Sequence, residues 1–484
     1  MPDTLTFGRL VLCAAVAGLL AVQSHTLSAR LRVPAPAFFL LAAAVAVRVA
    51  PGLSPSARTV ERVVTLALLV ILFDGGMSIG VARLRSVGGA VLTLGVLGTF
   101  ATTAGAALLA HLLLGVDWYL AVLVATAVAP TDPAVVFSVL GEREVEGRSG
   151  TLLEGESGAN DPVGIALMAA LLGAGSLSGG AALHVGGTFL LQMAVGTAVG
   201  LVGGRLLLLL VRRVPVPGEG LHPVRVLVAA GALFGLATVL HGSGFLAVFL
   251  AGVVVGDERA PFKREVERFH AALASLAEVV AFAYLGLTVD LGVLVSRDVL
   301  VPGLVLGVLL AVVVRPLVGL PLLLPVRLTR GERAFVLLAG LKGAVPLLLG
   351  SLLLELDGGE RLYGVVVVVV LVSVLVQGTL VPTAARRLGV GMRVVEAEPF
   401  AAGLRLRADP VGQRRLTVAA GSAADGTRVD ALPGLAEGSW VAMVVRDGAL
   451  LPVRGATRLE ADDEVLLQLD PEQAAGTAEA LFEA

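Results

Sequence analysis

The sequence predicts an all-α polytopic membrane protein followed by a small α+β domain, and three observations carry that prediction. Of 484 residues, 56% are hydrophobic and 15% charged, a balance that an ordinary water-soluble globule does not show. The apolar residues fall in blocks of about 17 to 28, such as 87–114 and 299–324, the length that crosses about 30 Å of hydrocarbon. From about Arg393 onward the blocks give way to short apolar/polar alternation with frequent Asp, Glu and Arg.

Walking the chain gives about thirteen spans, near 7–25, 34–50, 61–80, 87–114, 118–140, 152–174, 183–211, 223–241, 243–256, 271–296, 299–325, 332–354 and 361–384. The first block has no strong positive flank and is followed by further spans, so it reads as a membrane helix, not a cleaved signal peptide. Residues 1–390 form the membrane domain and 395–484 the tail. Arg and Lys gather in alternate loops, including Arg83, Arg85, Arg143, Arg148, Arg212, Arg213, Lys263, Arg264, Arg327, Arg330, Arg386 and Arg387. Cytoplasmic loops retain positive charge, which puts those loops and the tail inside and the N-terminus outside. The Ala, Val, Leu, Gly and Arg bias looks like a GC-rich bacterial genome, and the expected location is then the inner membrane of a bacterium. In the tail, Val441, Met443 and Val445 alternate up to Asp447-Gly448, a hairpin signal; 464–469 reads as a strand and 471–482 as a helix.

Composition also excludes function classes. Net charge is −2 and only two lysines occur, Lys263 and Lys342, so there is no basic surface for nucleic acid. Neither lysine follows a glycine, which excludes a P-loop, and the single Cys13 allows no internal disulfide or cysteine metal cluster. Neither a His-Glu-x-x-His zinc motif nor a Gly-x-Ser-x-Gly elbow is present, and no cofactor is implied, so the sequence does not read as an enzyme.

Ionisable side chains inside spans are unfavourable unless they do something. Ala129-Pro130-Thr131-Asp132-Pro133 interrupts an otherwise Ala/Val-rich span. Two prolines three apart break the helical ladder at membrane depth and free carbonyls beside a carboxylate, the makings of a cation site. The next span opens on Glu154-Gly155-Glu156-Ser157-Gly158-Ala159-Asn160-Asp161-Pro162, with Glu154, Ser157 and Asp161 on one helical face and Glu156 and Asn160 on an adjacent one. A buried Asp161 near Asp132 can hold either a proton or a cation. Such competition is enough for exchange if the site faces one side at a time. The plainer reading of these residues is a proline kink, with Glu154 and Glu156 in a solvated loop.

Gly340-Leu341-Lys342-Gly343-Ala344-Val345-Pro346 is a second Gly/Pro-interrupted span in the other half of the membrane region. Paired broken helices point to a transporter with inverted repeats. Lys342 is expected to neutralise facing helix C-termini, with snorkelling to the interface as the alternative. Arg315 lies in an apolar block and needs a buried acid, Glu156 first and Glu154 second. Asp74, in Phe73-Asp74-Gly75-Gly76, is a further candidate for the site. Glu278 and Asp290 are less informative.

On Thr131-Asp132-Pro133, Glu156-Ser157-Gly158-Ala159-Asn160-Asp161-Pro162 and Gly340-Leu341-Lys342-Gly343-Ala344-Val345-Pro346 the chain resembles the monovalent cation:proton antiporters of the NhaP and NHE kind. The resemblance implies two crossed, discontinuous helices in a core that moves as an elevator against a dimerisation domain. It implies that Asp161 carries ion and proton, with Asp132, Thr131, Ser157 and Asp74 around it. It also implies electroneutral exchange, from Asn160 before Asp161, and a structural Glu156–Arg315 pair. Potassium or sodium and protons are then the substrates, in a homodimer set in the lipid bilayer. The tail resembles a TrkA C-terminal domain on Val441 to Gly448 and Thr457-Arg458-Leu459-Glu460-Ala461-Asp462-Asp463-Glu464, which implies a regulatory module for a small-molecule or nucleotide effector and tilts the expectation toward potassium. No glycine-rich fingerprint precedes it, so NAD binding is not expected. The reading of another class is a ligand-gated cation channel, with the acids as a selectivity ring.

Overall fold

A computed structural model describes residues 34–140, 143–145, 147–214, 216–218, 220–256, 262–394, 413–433, 439–446, 449–469 and 481–482. The expected span at 7–25 with Cys13, the turn at Asp447-Gly448 and most of the expected helix at 471–482 lie outside them. The chain divides into two compact units, 1–397 and 398–484.

Among its described residues the first unit is almost wholly helical. Its helices are α1 (Ala35–Val49), α2 (Ala57–Leu92), α3 (Thr99–Leu114), α4 (Trp118–Val128), α5 (Pro133–Leu140), α6 (Gly147–Ala174), α7 (Gly179–Arg213), α8 (Leu221–Val239), α9 (Gly244–Gly256) and α10 (Lys263–Gly286). They continue with the one-turn α11 (Leu291–Leu294), α12 (Arg297–Leu309), α13 (Arg315–Leu323), α14 (Arg330–Leu338), α15 (Ala344–Ser351), α16 (Gly359–Leu371) and α17 (Gly378–Arg387). Among the described residues six helical stretches are long and apolar enough to cross a membrane, from 57–114 to 359–387. With lipid-facing side chains such as Leu183 and Val239 left exposed, this makes the chain a multi-pass membrane protein.

Local chemistry sets many boundaries. Ser56 and Asp117 cap α2 and α4, accepting from Thr59 N and Leu120 N, and Thr329 with Glu332 forms a capping box on α14. The loop expected between 80 and 87 is replaced by a break at Gly80, whose φ of 64° only glycine adopts without strain. From there the helix runs on through a π-helical stretch, Thr93–Gly98, into α3. The block expected at 271–296 ends as a helix at Gly286, and Asp290 caps α11 by accepting from Gly292 N at 2.6 Å. In place of side-chain bulk, small residues let helices approach: Gly196, Gly200 and Gly204 of α7 lie on the α9 backbone, and Gly76 of α2 lies on its other side. A short antiparallel pair, β1 (Arg143–Val145) with β2 (Met392–Val394), ties the segment after α5 to the chain after α17, with Glu144 opposite Arg393.

The second unit holds a four-stranded antiparallel sheet, in order β3 (Gln413–Thr417), β6 (Glu464–Gln468), β4 (Trp440–Arg446) and β5 (Ala449–Leu451). Residues 441–445 fall in β4, but an irregularity between Val441 and Met443 breaks the expected alternation, so that Val441 and Val444 are the buried pair; the strand pairs with β5 through Arg446 opposite Ala449. Val444, Val465, Leu467 and Leu459 form its core with Phe482. Arg446 grips the fully buried Asp463 with Nε and a terminal nitrogen at 2.7 and 2.8 Å. Burial alone would push the Asp463 carboxyl up, but those donors and the Glu460 N–H hold it below the usual carboxylate range.

Candidate functional site

Two helix breaks meet inside the membrane unit. Residues 129–132 separate α4 from α5, and residues 339–343 separate α14 from α15. Asp132 N donates to Leu341 O at 2.8 Å, and Gly343 is pressed so closely on the Asp132 side chain that no other residue type fits there unshifted. Each break thus supplies partners for the backbone that the other leaves open, as irregular chain at membrane depth requires.

Lys342 crosses this junction. Its Nζ, on a side chain almost entirely buried, donates to Ala129 O at 2.9 Å and Pro130 O at 3.1 Å. The lysine therefore does not snorkel. The carbonyls freed by Pro133, expected from the sequence to ligate a transported cation, are instead held by this resident ammonium, because an unwound carbonyl pair is the partner a buried positive charge needs. Lys342 N donates to Ser373 Oγ, which bonds Gln377 Oε1, while Gln377 Nε2 caps Leu338 O at the end of α14. Sequence reading passed over Ser373 and Gln377, although two polar residues four apart in a valine-rich span are a visible signal.

Helix α6 lies beside the first break and runs straight through Pro162. Asn160, 2% exposed, donates to Thr131 Oγ1 at 2.7 Å and accepts from Thr131 N at 3.3 Å. One turn along the same helix, Ser157 Oγ donates to Asp161 Oδ2 at 3.4 Å. Asp161 Oδ1 is shut off from solvent and has no hydrogen-bond partner, while Asp132 and Lys342 are its charged neighbours. On the adjacent face of α6, Glu156 is 1% exposed and bonds Arg315 through both oxygens, to Nη1 and, at 2.8 Å, to Nη2. Five of the residues singled out, Thr131, Asp132, Ser157, Asn160 and Asp161, thus converge with Lys342, and Glu156–Arg315 stands behind them. Asp74 is placed differently: it lines a cavity of about 610 Å³ with Gly80, Arg83, Lys263, Glu267 and Ala271, and the charge it senses is Glu267.

An apolar bundle with a buried, partly unpartnered carboxylate where two interrupted helices meet defines the class of secondary transporters. The transmembrane sodium/hydrogen exchanger family matches residues 12–387, and the chain belongs to that family, whose members are antiporters and not enzymes. It is 30% identical to the K(+)/H(+) antiporter NhaP2 of Shewanella baltica over 492 residues, 99% of this chain and 84% of that one. It is 35% identical to the K(+)/H(+) antiporter NhaP of Alkalimonas amylolytica over 327 residues, 66% of this chain and little more than half, 56%, of that relative. The solved sodium proton antiporter MjNhaP1 of Methanocaldococcus jannaschii superimposes with a TM-score of 0.66 at 20% identity, across 80% of this chain and all of that one. The comparisons give the channel reading no support.

Proposed function

We propose that the chain exchanges a monovalent cation, potassium in preference to sodium, for protons, with Asp161 carrying either one. The observation that carries this reading is the free Oδ1 of Asp161, a buried carboxylate oxygen left open where the two helix breaks meet. A proton satisfies it, and so does a dehydrated cation completed by Ser157 Oγ, the Asp132 carboxylate and Thr131 Oγ1. The two cannot be held together, so each displaces the other. Preference for potassium rests on the named activity of the NhaP and NhaP2 relatives.

Electroneutral exchange follows from one carrier carboxylate: Asn160 holds Thr131 in place and adds no titrating group beside Asp161. Elevator movement of the site as one body is supported by the reciprocal bonding of the two breaks, which couples the α4–α5 chain to the α14–α15 chain, and by Asn160 of α6, which bonds Thr131 in the first break. The span count of about thirteen comes from the apolar blocks, the repeat symmetry from the paired broken helices, and a homodimer from the family resemblance. Cytoplasmic placement of the tail comes from the Arg-rich loops, and the antiparallel sheet of the tail supports a regulatory domain of the TrkA-C kind for a small-molecule effector.

Proteoliposomes holding a pH-sensitive dye and challenged with potassium or sodium pulses test the proposal, with Asp161→Asn as control. The parent is expected to move protons against the cation and the Asn variant to be inert. A parent that moves none, or an Asn variant that works equally well, overturns it.

A further inference from the structure

Glu278, in the middle of α10, is a carboxylate that the exchange site does not account for. Its Oε1 is shut off from solvent and has no hydrogen-bond partner. Inside an apolar bundle such an oxygen is costly to leave unmet, and its presence is itself a functional sign.

Where Glu278 lies follows from helix geometry. Glu267, Ala271, Ala274 and Glu278 fall at spacings of four, three and four, so they share one stripe of α10. Glu267 and Ala271 line the cavity that also holds Asp74. Glu278 continues that stripe inward, two turns and about 10 Å beyond Ala271. Between them stands Ala274, the smallest side chain that keeps a helix. Helix α10 packs on α15, the helix that follows the second break, and the charge that reaches Glu278 is Asp132.

The other charged groups around α10 are turned elsewhere. On α2, Asp74 and Arg83 face the cavity, Arg58, Glu61 and Arg62 lie in its first two turns, and Arg85 lies two residues past Arg83. Lys342, ahead of α15, is committed to the carbonyls of Ala129 and Pro130, and α15 itself has no titratable side chain. Arg48 sits in the last turn of α1, and His222 and Arg225 sit in the first turns of α8.

We infer that Glu278 is an access carboxylate of the exchanger: protons moving between the cavity beside Asp74 and the Asp132–Asp161 pair bind its free oxygen on the way. This rests on the exchange proposed above. Inward, the carboxylate takes a proton from cavity water and becomes a neutral carboxyl. It then gives that proton through water to the Asp161 carboxylate as the cation leaves, and regains its negative charge. The residue holds protons in transit and is not a ligand of the cation at rest.

The test uses the full-length chain in proteoliposomes with the dye, potassium pulses and a range of pH. Glu278→Gln removes the proton acceptor while keeping shape. Its exchange rate is expected to stay near the parent's at acid pH, where protons are plentiful, and to fall about tenfold at alkaline pH, where capture limits turnover. The apparent KM for potassium at the optimum stays within about twofold, and Glu278→Asp restores much of the alkaline limb. Ala274→Leu narrows the stripe with every carboxylate intact and is expected to slow exchange as well.

A Glu278→Gln profile superimposable on the parent's overturns the inference, and so does a potassium KM raised alike at every pH, which would make Glu278 a cation ligand. Should the Gln variant fail to fold in size-exclusion and melting controls, the Asp and Ala274→Leu variants decide, and parent-like profiles for both overturn it. An inert parent sinks the exchange proposal itself, whereas an active parent with an unaltered Gln variant sinks only this one.

Discussion

Glu156 and Arg315, 159 positions apart, meet as a two-pronged ion pair in the interior of the membrane unit, both oxygens of one facing both terminal nitrogens of the other. Fork geometry of this kind is the strongest form of a carboxylate–guanidinium contact. Removing one partner leaves a buried charge unmatched, so Glu156→Gln and Arg315→Met are each expected to lose about 3 kcal/mol. The double variant loses less than the sum, because neither charge is then orphaned. Melting curves in detergent check this, and single variants as stable as the parent would remove the pair from the scaffold.

Lys342 has a different task, since its partners are carbonyls and not a carboxylate. Lys342→Met keeps the stem and abandons Ala129 O and Pro130 O, at a cost of about 2 kcal/mol for acceptors left without a donor. Lys342→Arg, whose fork offers several donors, is expected to retain the fold and part of the exchange rate. Dye-based exchange beside thermal melts separates the two variants. A Met variant that matches the parent in both would mean that the carbonyls find water instead.

Much of this was legible before any coordinates. A lone guanidinium in an apolar block demands an acid, and of the two expected for Arg315, Glu156 first and Glu154 second, it pairs with Glu156. The Thr131-Asp132-Pro133 break and the Asn160-Asp161 pair were legible for the same reason, because polar groups and prolines are conspicuous in hydrocarbon. What stayed hidden depends on pairing across distance. That Lys342 meets a helix C-terminus was expected, but that the terminus is the one at Ala129, more than 200 positions away, leaves no local trace, nor do the three-residue strands around Glu144 and Arg393. Strand β3, Gln-Arg-Arg-Leu-Thr, has one apolar residue and so no alternation to read. Glu278 was noted but given no role, because α10 is the most mixed of the long helices, where one more acid does not stand out.

Gly343 offers a sharper probe of the site than its carboxylates do. A methyl group there would run into the Asp132 carboxyl and its Cβ, so side chain and local backbone must both shift. The Gly343→Ala variant is expected to fold, since the change is local, but to raise the potassium KM about tenfold by moving Asp132 away from Asp161, a loss of about 1.4 kcal/mol in binding. Potassium titration of exchange at the optimum pH reads this out. An unaltered KM would show that Asp132 does not share the cation.

The tail gives a prediction about pH. Asp463 is held below the usual carboxylate range by Arg446 despite its burial, so its folded value lies under its unfolded one, about 3.9. A group with that sign contributes stability above the unfolded value and loses it as pH falls through the folded value. The β4–β6 pairing is therefore expected to keep its amide protection from neutral pH down to about pH 4 and to lose it below, in hydrogen exchange on the full-length protein. Asp463→Asn keeps the shape but weakens the grip of Arg446 and removes this titration. It is expected to lower protection at neutral pH and to flatten its decline below pH 4, because the step that remains no longer includes this carboxyl. If the parent and the Asn variant decline together, the acid sensitivity of the sheet does not come from Asp463.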